Sequence, residues 1–155
     1  MLRLGAVCVA ALACAAPAWA HTDGVRQLAL AWPASGLETR GWGWDGDHWH
    51  TGIDIGTLST LDIAAAAPGV VESVGYQTGF EGYGQIVLVD VGYGLETLYA
   101  HLSEATVQPG DLVVTGQKLG LAGCTGTCFG THLHFELRES GEAMDPAPFL
   151  PATLP

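Results

Sequence analysis

Gln85-Ile-Val-Leu-Val-Asp-Val91-Gly-Tyr-Gly-Leu95-Glu-Thr-Leu-Tyr-Ala-His101 decides the fold. Two runs rich in β-branched and aromatic residues, Gln85 to Val91 and Leu95 to His101, flank Gly92-Tyr93-Gly94. That pattern predicts an antiparallel hairpin. Further strands are expected outward from it, at Gly69 to Tyr76, Lys118 to Ala122 and His132 to Arg138. Gly82-Tyr83-Gly84, Pro109-Gly110-Asp111 and the stretch Gly123 to Gly130 supply turns between them. Ile63 to Ala67 has helix-friendly alanines, but Pro68-Gly69 cuts the run short. With 22 glycines, no amphipathic helical pattern and no internal repeat, the sequence predicts an all-β domain. Pro146 to Pro155 is expected to lie as an extended tail along the surface.

The N-terminal residues stand apart. One positive charge at Arg3, an apolar run from Leu4 to Ala16 and the small-x-small pattern Ala18-Trp19-Ala20 form a secretory signal, with cleavage expected after Ala20. The run is shorter than the roughly 20 residues of a membrane span. A lipoprotein signal ending at Cys14 is the competing reading, but Ala11 stands where its acylation box usually carries Leu. Residues 21–155 are then one domain in a periplasmic or extracellular setting. Loss of Arg3 takes the formal charge from −11 to −12. So acidic a chain is a poor binder of nucleic acid, which needs clustered Lys and Arg. Affinity for any anionic polymer has to come from a groove. A monomer is expected, with no membrane span after the signal.

Cys124 and Cys128 are the two cysteines beyond the signal. A zinc-thiolate site wants more of them, so in an oxidising compartment a short-loop disulfide is expected. It would stiffen the turn leading into His132.

Five of the six histidines fall in three clusters, Asp47-His48-Trp49-His50, Tyr99-Ala100-His101 and Thr131-His132-Leu133-His134. On a strand, residues i and i+2 share a face, so His132 and His134 point the same way while Leu133, Phe135 and Leu137 take the other. Taken alone, that pattern fits two solvent-facing histidines as well as a site. Fully extended, His50 and Asp54 would sit roughly 13 Å apart, too far to share an ion. Gly52 allows a bend between them. His50, Asp54 and His134 would give two imidazoles and a carboxylate, which leaves tetrahedral zinc one open position, the ligand count of a hydrolytic site. His101 and His132 are left over for proton transfer. His48 could be a fourth ligand or line the groove, and the second is favoured because a fourth ligand closes the site. Trp42, Trp44 and Trp49 could wall a groove or pack on the sheet edge. His21, as a mature N-terminus, would pair an amine with an imidazole, as a copper site does, but the incidental reading of a single terminal histidine is favoured.

Trp32-Pro33, His50-Thr51-Gly52-Ile53-Asp54-Ile55, Gly82-Tyr83-Gly84, Leu98-Tyr99-Ala100-His101-Leu102-Ser103, Gln108-Pro109-Gly110-Asp111, Gly123 to Gly126 and His132-Leu133-His134-Phe135-Glu136 occur in one order. This succession resembles the lysostaphin/LytM-type zinc endopeptidases of bacterial cell walls, over about Leu30 to Leu150. The resemblance implies antiparallel sheets in a barrel-sandwich-like core with a loop-walled catalytic groove. It also implies Zn2+ on His50, Asp54 and His134, with His132 and His101 as the catalytic histidines. The implied substrate is a stem or cross-bridge peptide of peptidoglycan. Non-enzymatic relatives, wall-binding or amidase-activating, usually lack one or more of these five positions, and this chain has all five. It departs from the pattern at Thr131, at Pro68 and in its cysteine pair, none of which removes a site position.

Overall fold

A computed structural model describes residues 28–155. The expected signal peptide, Cys14 and His21 lie outside the described residues. Thirteen strands follow one another: β1 Leu37–Arg40, β2 Gly43–Trp44, β3 Trp49–His50, β4 Ile53–Gly56, β5 Asp62–Ala64, β6 Gly69–Gly75, β7 Ile86–Gly92, β8 Leu95–Ala100, β9 Leu102–Ala105, β10 Leu112–Val113, β11 Lys118–Ala122, β12 Leu133–Glu139 and β13 Glu142–Met144. The large sheet runs β1-β4-β12-β8-β7-β6-β10, with β13 paired to β12. A smaller sheet runs β5-β11-β9, and β2 and β3 form a separate hairpin. Every pairing among the described residues is antiparallel, as the resemblance implied.

The two sheets enclose one core, because alternate residues of the central strands are apolar. Ile53, Ile55, Val71, Val87, Val89, Tyr99, Leu133, Phe135 and Leu137 from the large sheet pack with Ile63, Leu102, Leu119 and Ala122 from the smaller one. Tyr99 is fully buried, yet its hydroxyl accepts from Ala66 N–H at 2.8 Å and donates to Thr97 Oγ1 at 3.1 Å. The opposite face of β7 and β8 carries a second apolar cluster, Ile86, Leu88, Leu98 and Ala100, covered by Phe80 and Tyr83.

The five strands read from sequence appear as β6, β7, β8, β11 and β12, with ends shifted by a residue or two. His101 falls just past β8 because its φ of 61° leaves extended geometry. His132 falls just before β12, in an isolated bridge to Gly123. The tail corrects the expectation of a purely extended segment. Ala147–Phe149 forms a 3-10 turn, and Leu150 and Leu154 pack on the core. Leu30 N–H donates to Phe149 O at 2.9 Å and the Trp32 indole N–H to Pro151 O at 3.0 Å, so the tail is tied to the start of the domain. Among the described residues, no helix is long and apolar enough to cross a membrane.

Candidate active site

Strand β12 builds the site. Its odd-numbered residues Leu133, Phe135 and Leu137 enter the core, so His134, Glu136 and Arg138 share the other face. The register places His134 directly opposite Asp54 of β4 on one side and Ala100 of β8 on the other. Ala100 has no bulk with which to fill the space beside the imidazole. His50 arrives from β3, across Thr51-Gly52.

His50, Asp54 and His134 are each less than a tenth exposed. His50 Nε2 lies 3.1 Å from Asp54 Oδ1 and 3.0 Å from His134 Nδ1, and His134 Nδ1 lies 2.8 Å from Asp54 Oδ1. The other nitrogen of each ring is engaged. His50 Nδ1 donates to Gly41 O at 2.7 Å, and His134 Nε2 donates to Glu136 Oε1 at 3.1 Å. Because a carbonyl or carboxylate oxygen can only accept, both rings are held with a lone pair aimed at the shared point. Two imidazole lone pairs and a carboxylate oxygen facing one another are mutually repulsive without a proton or a cation between them. Tetrahedral zinc would set ligand atoms about 3.3 Å apart, given bond lengths near 2.0–2.1 Å, and the observed triangle is close to that. The trio is therefore able to hold a metal ion.

The bend between His50 and Asp54 differs from the expectation in its cause. Gly52 does not adopt a positive φ. It crosses β12 so closely that a Cβ would stand 2.3 Å from Phe135 O. Glycine is required there by proximity rather than by conformational freedom.

His101 and His132 stand beside this trio, their ring centroids 4.7 Å apart. His101 Nδ1 donates to Thr125 O at 2.8 Å, and His132 Nδ1 donates to Gly130 O at 2.7 Å. In the neutral state each therefore carries its free lone pair on Nε2, and His132 Nε2 is 3.8 Å from Asp54 Oδ1. Burial lowers the His101 pKa, outweighing the Thr125 hydrogen bond, and the neighbouring His132 adds to the shift. A neutral His101 at ordinary pH follows.

Beneath His134 lies a polar network whose members carried no assigned role in the sequence reading. The Glu136 side chain is fully buried. It accepts from His134, from Tyr83 Oη at 2.6 Å and from the Arg138 guanidinium. Burial opposes its ionisation, but hydrogen bonds from His134, Thr51 and Tyr83 win and hold the carboxyl down at about 2. Asp54 is likewise held well below the carboxylate range, burial being outweighed by the adjacent His134 and His50 imidazoles. His134, though its burial disfavours charge, is raised by Asp54 and Glu136. Tyr83 is pushed up to about 12 by burial and by the Glu136 carboxylate. Glu136 continues the i, i+2 series from His132 and His134, and that spacing was the signal available for finding it.

His50, Asp54, Tyr83, His101, His132 and His134 floor a groove of about 610 Å³. Its walls come from the 39–51 segment on one side and from the 127–131 loop on the other. His48 lines the groove and is exposed, with Nε2 2.7 Å from Arg40 Nη2, and it stands outside the trio. Trp44 and Trp49 are exposed on the β2–β3 hairpin, and Trp42 packs edge-on against Trp49 at 5.8 Å. Cys124 and Cys128 are joined by a disulfide, as expected.

Residues 48–146 match Peptidase family M23. The chain is 39% identical over 97 residues to the DD-carboxypeptidase/endopeptidase Mpg of Neisseria gonorrhoeae, covering 63% of this chain and 22% of that protein. It is 33% identical over 121 residues to the murein hydrolase activator EnvC of Escherichia coli K12, covering 77% of this chain and 28% of EnvC. The chain thus spans less than a third of either relative. The antimicrobial peptidase lysostaphin from Staphylococcus simulans superposes with a TM-score of 0.65 at 26% identity, over 76% of this chain and 53% of that one. The ordered motifs, the antiparallel fold and the match across the site segments agree: this chain belongs to Peptidase family M23.

Proposed function

We propose that residues 21–155 form a zinc-dependent endopeptidase that cleaves peptide bonds in the stems or cross-bridges of bacterial peptidoglycan. The observation that carries this reading is the convergence of His50 Nε2, Asp54 Oδ1 and His134 Nδ1 within 3.1 Å, each imidazole turned by an acceptor on its other nitrogen. These three atoms would hold the ion, and Glu136 would fix the His134 ring while raising its basicity. Zinc, when bound, supplies a Lewis acid for the scissile carbonyl and makes water more acidic. In their neutral forms His132 and His101 carry the lone pair on Nε2, and their rings stand 4.7 Å apart beside the trio. Together they would orient the attacking water, accept its proton at Nε2 and return it to the leaving amine nitrogen. The groove would position an extended peptide between its two walls. Residues 1–20 read as an export signal, and the likeness to Mpg and EnvC supports action in the cell envelope.

The likeness to EnvC supports a second reading, a module that activates a separate hydrolase. The presence of all five site positions favours the peptidase. One experiment separates them: purified protein with its zinc content measured, incubated with sacculi of defined peptidoglycan chemotypes, with and without a chelator. Mass spectrometry then identifies the released muropeptides. Chelator-sensitive release of peptide-cleaved fragments is expected. Stoichiometric zinc with no cleavage of any chemotype would overturn the peptidase reading in favour of the activator.

A further inference from the structure

Both histidines flanking the metal trio are oriented by carbonyls of one loop, and that loop carries the disulfide. Cys124 and Cys128 close it, Thr125 O accepts from His101 Nδ1, and Gly130 O accepts from His132 Nδ1. The two halves are held differently. Thr125 is anchored without the disulfide, since its Oγ1 donates to Leu102 O at 2.8 Å and accepts from Gln85 N–H at 2.9 Å. Thr127 N–H donates to Gly82 O at 2.9 Å, and Gly126 packs so tightly on Gly84 that a Cβ would stand 2.4 Å from its nitrogen. The second half is tied by the Cys128 sulfur. Gly130 N–H points to Cys128 Sγ at 3.5 Å, and the same sulfur lies 3.7 Å from His132 Nδ1. Phe129, between them, is fully exposed.

We infer that the Cys124–Cys128 disulfide is a positioning element for His132 alone: it fixes the Gly130 carbonyl that holds His132 in its Nδ1–H form, with Nε2 turned into the site. His101 takes its orientation from the independently anchored Thr125 and does not need the disulfide. The inference rests on the peptidase reading only for its kinetic consequence. The orientation itself is a property of the fold.

The test is nitrogen-15 spectroscopy of histidine-labelled, zinc-loaded protein, comparing the parent with Cys124→Ser/Cys128→Ser. In the parent, His101 and His132 should both show a protonated Nδ1 and an unprotonated Nε2. In the double variant, His132 should shift toward the Nε2–H form that a free neutral imidazole favours, while His101 and the zinc content stay unchanged. Turnover on peptidoglycan should fall on the order of 10- to 100-fold in kcat, part of what one general acid–base group contributes, with KM unchanged. If the double variant does not fold, reduction of the folded parent by a phosphine gives the same comparison. An unchanged His132 signal without the disulfide, or a parallel change at His101, would overturn the inference. A shifted His132 in a protein that cleaves nothing before or after the change would leave the inference standing and remove the peptidase reading instead.

Discussion

Replacing Glu136 by Gln isolates the charge beneath the metal trio, because the two side chains have nearly the same shape. In the parent the buried carboxylate accepts from His134 Nε2, Tyr83 Oη and Arg138. A glutamine oxygen can still accept from one or two of these, but its NH2 must then face a donor. Two magnitudes follow. The lowering of the carboxyl from 4.5 to about 2 corresponds to about 3 kcal/mol of folding stability, in line with the 3–5 kcal/mol typical of breaking a buried ion pair. The shift is downward, so the parent has this stabilisation in full above about pH 4.5 and loses it as pH falls toward 2. The second magnitude is metal affinity, where removing such an outer partner typically weakens binding about 10- to 100-fold. Urea unfolding between pH 2 and 7, with zinc competition against a chromogenic chelator at pH 7, would measure both. The parent should lose stability across the acid limb, and E136Q should begin lower and fall less. Equal zinc affinity in parent and variant, or parallel acid limbs, would refute the assignment of Glu136 as the group that fixes His134.

Three other substitutions probe separate parts of the structure. Gly52→Ala places a methyl 2.3 Å from Phe135 O, so the start of β4 and β12 must separate; a loss of about 1–3 kcal/mol in urea unfolding is expected, together with weakened zinc binding, and unchanged values would show that the crossing is not tight. Tyr99→Phe strips the buried Ala66 N–H of its acceptor and should lower stability by about 1–3 kcal/mol while zinc binding stays the same. His101→Ala should keep zinc and lose turnover; a variant that cleaves sacculi at the parent rate would remove His101 from the chemistry.

Much of this molecule was legible in the sequence because its signals are local. The β7–β8 hairpin declares itself through a Gly-Tyr-Gly turn between two apolar runs, and β12 through strict alternation of imidazole and hydrocarbon. Strands of two to four residues such as Gly43–Trp44, Asp62–Ala64 and Leu112–Val113 are too short to hold a period, and only their partners across the sheet make them strands. The same holds in the site. His50 and Asp54 look too far apart until the pairing of β4 with β12 folds the intervening segment across Phe135. Tyr83 and Glu136 meet across 53 residues, a contact no local pattern encodes. The roles of Gly41, Thr125 and Gly130 lie in backbone carbonyls, which any residue carries and which sequence therefore cannot mark.

From Leu133 to Arg138, β12 has a residue of consequence at every step, three facing the core and three facing the site or its supporting network. Inserting or deleting one residue within it would turn imidazole and carboxylate into hydrocarbon and hydrocarbon into the groove. This strand thus has little room for a shift of register, since one that spoils the site there spoils the fold as well. Freedom lies at exposed wall side chains such as His48 and Phe129, which can vary while His50, the Gly41, Thr125 and Gly130 carbonyls and the strand stay fixed. A change in what the groove accepts would accumulate there, on either side of an unaltered floor.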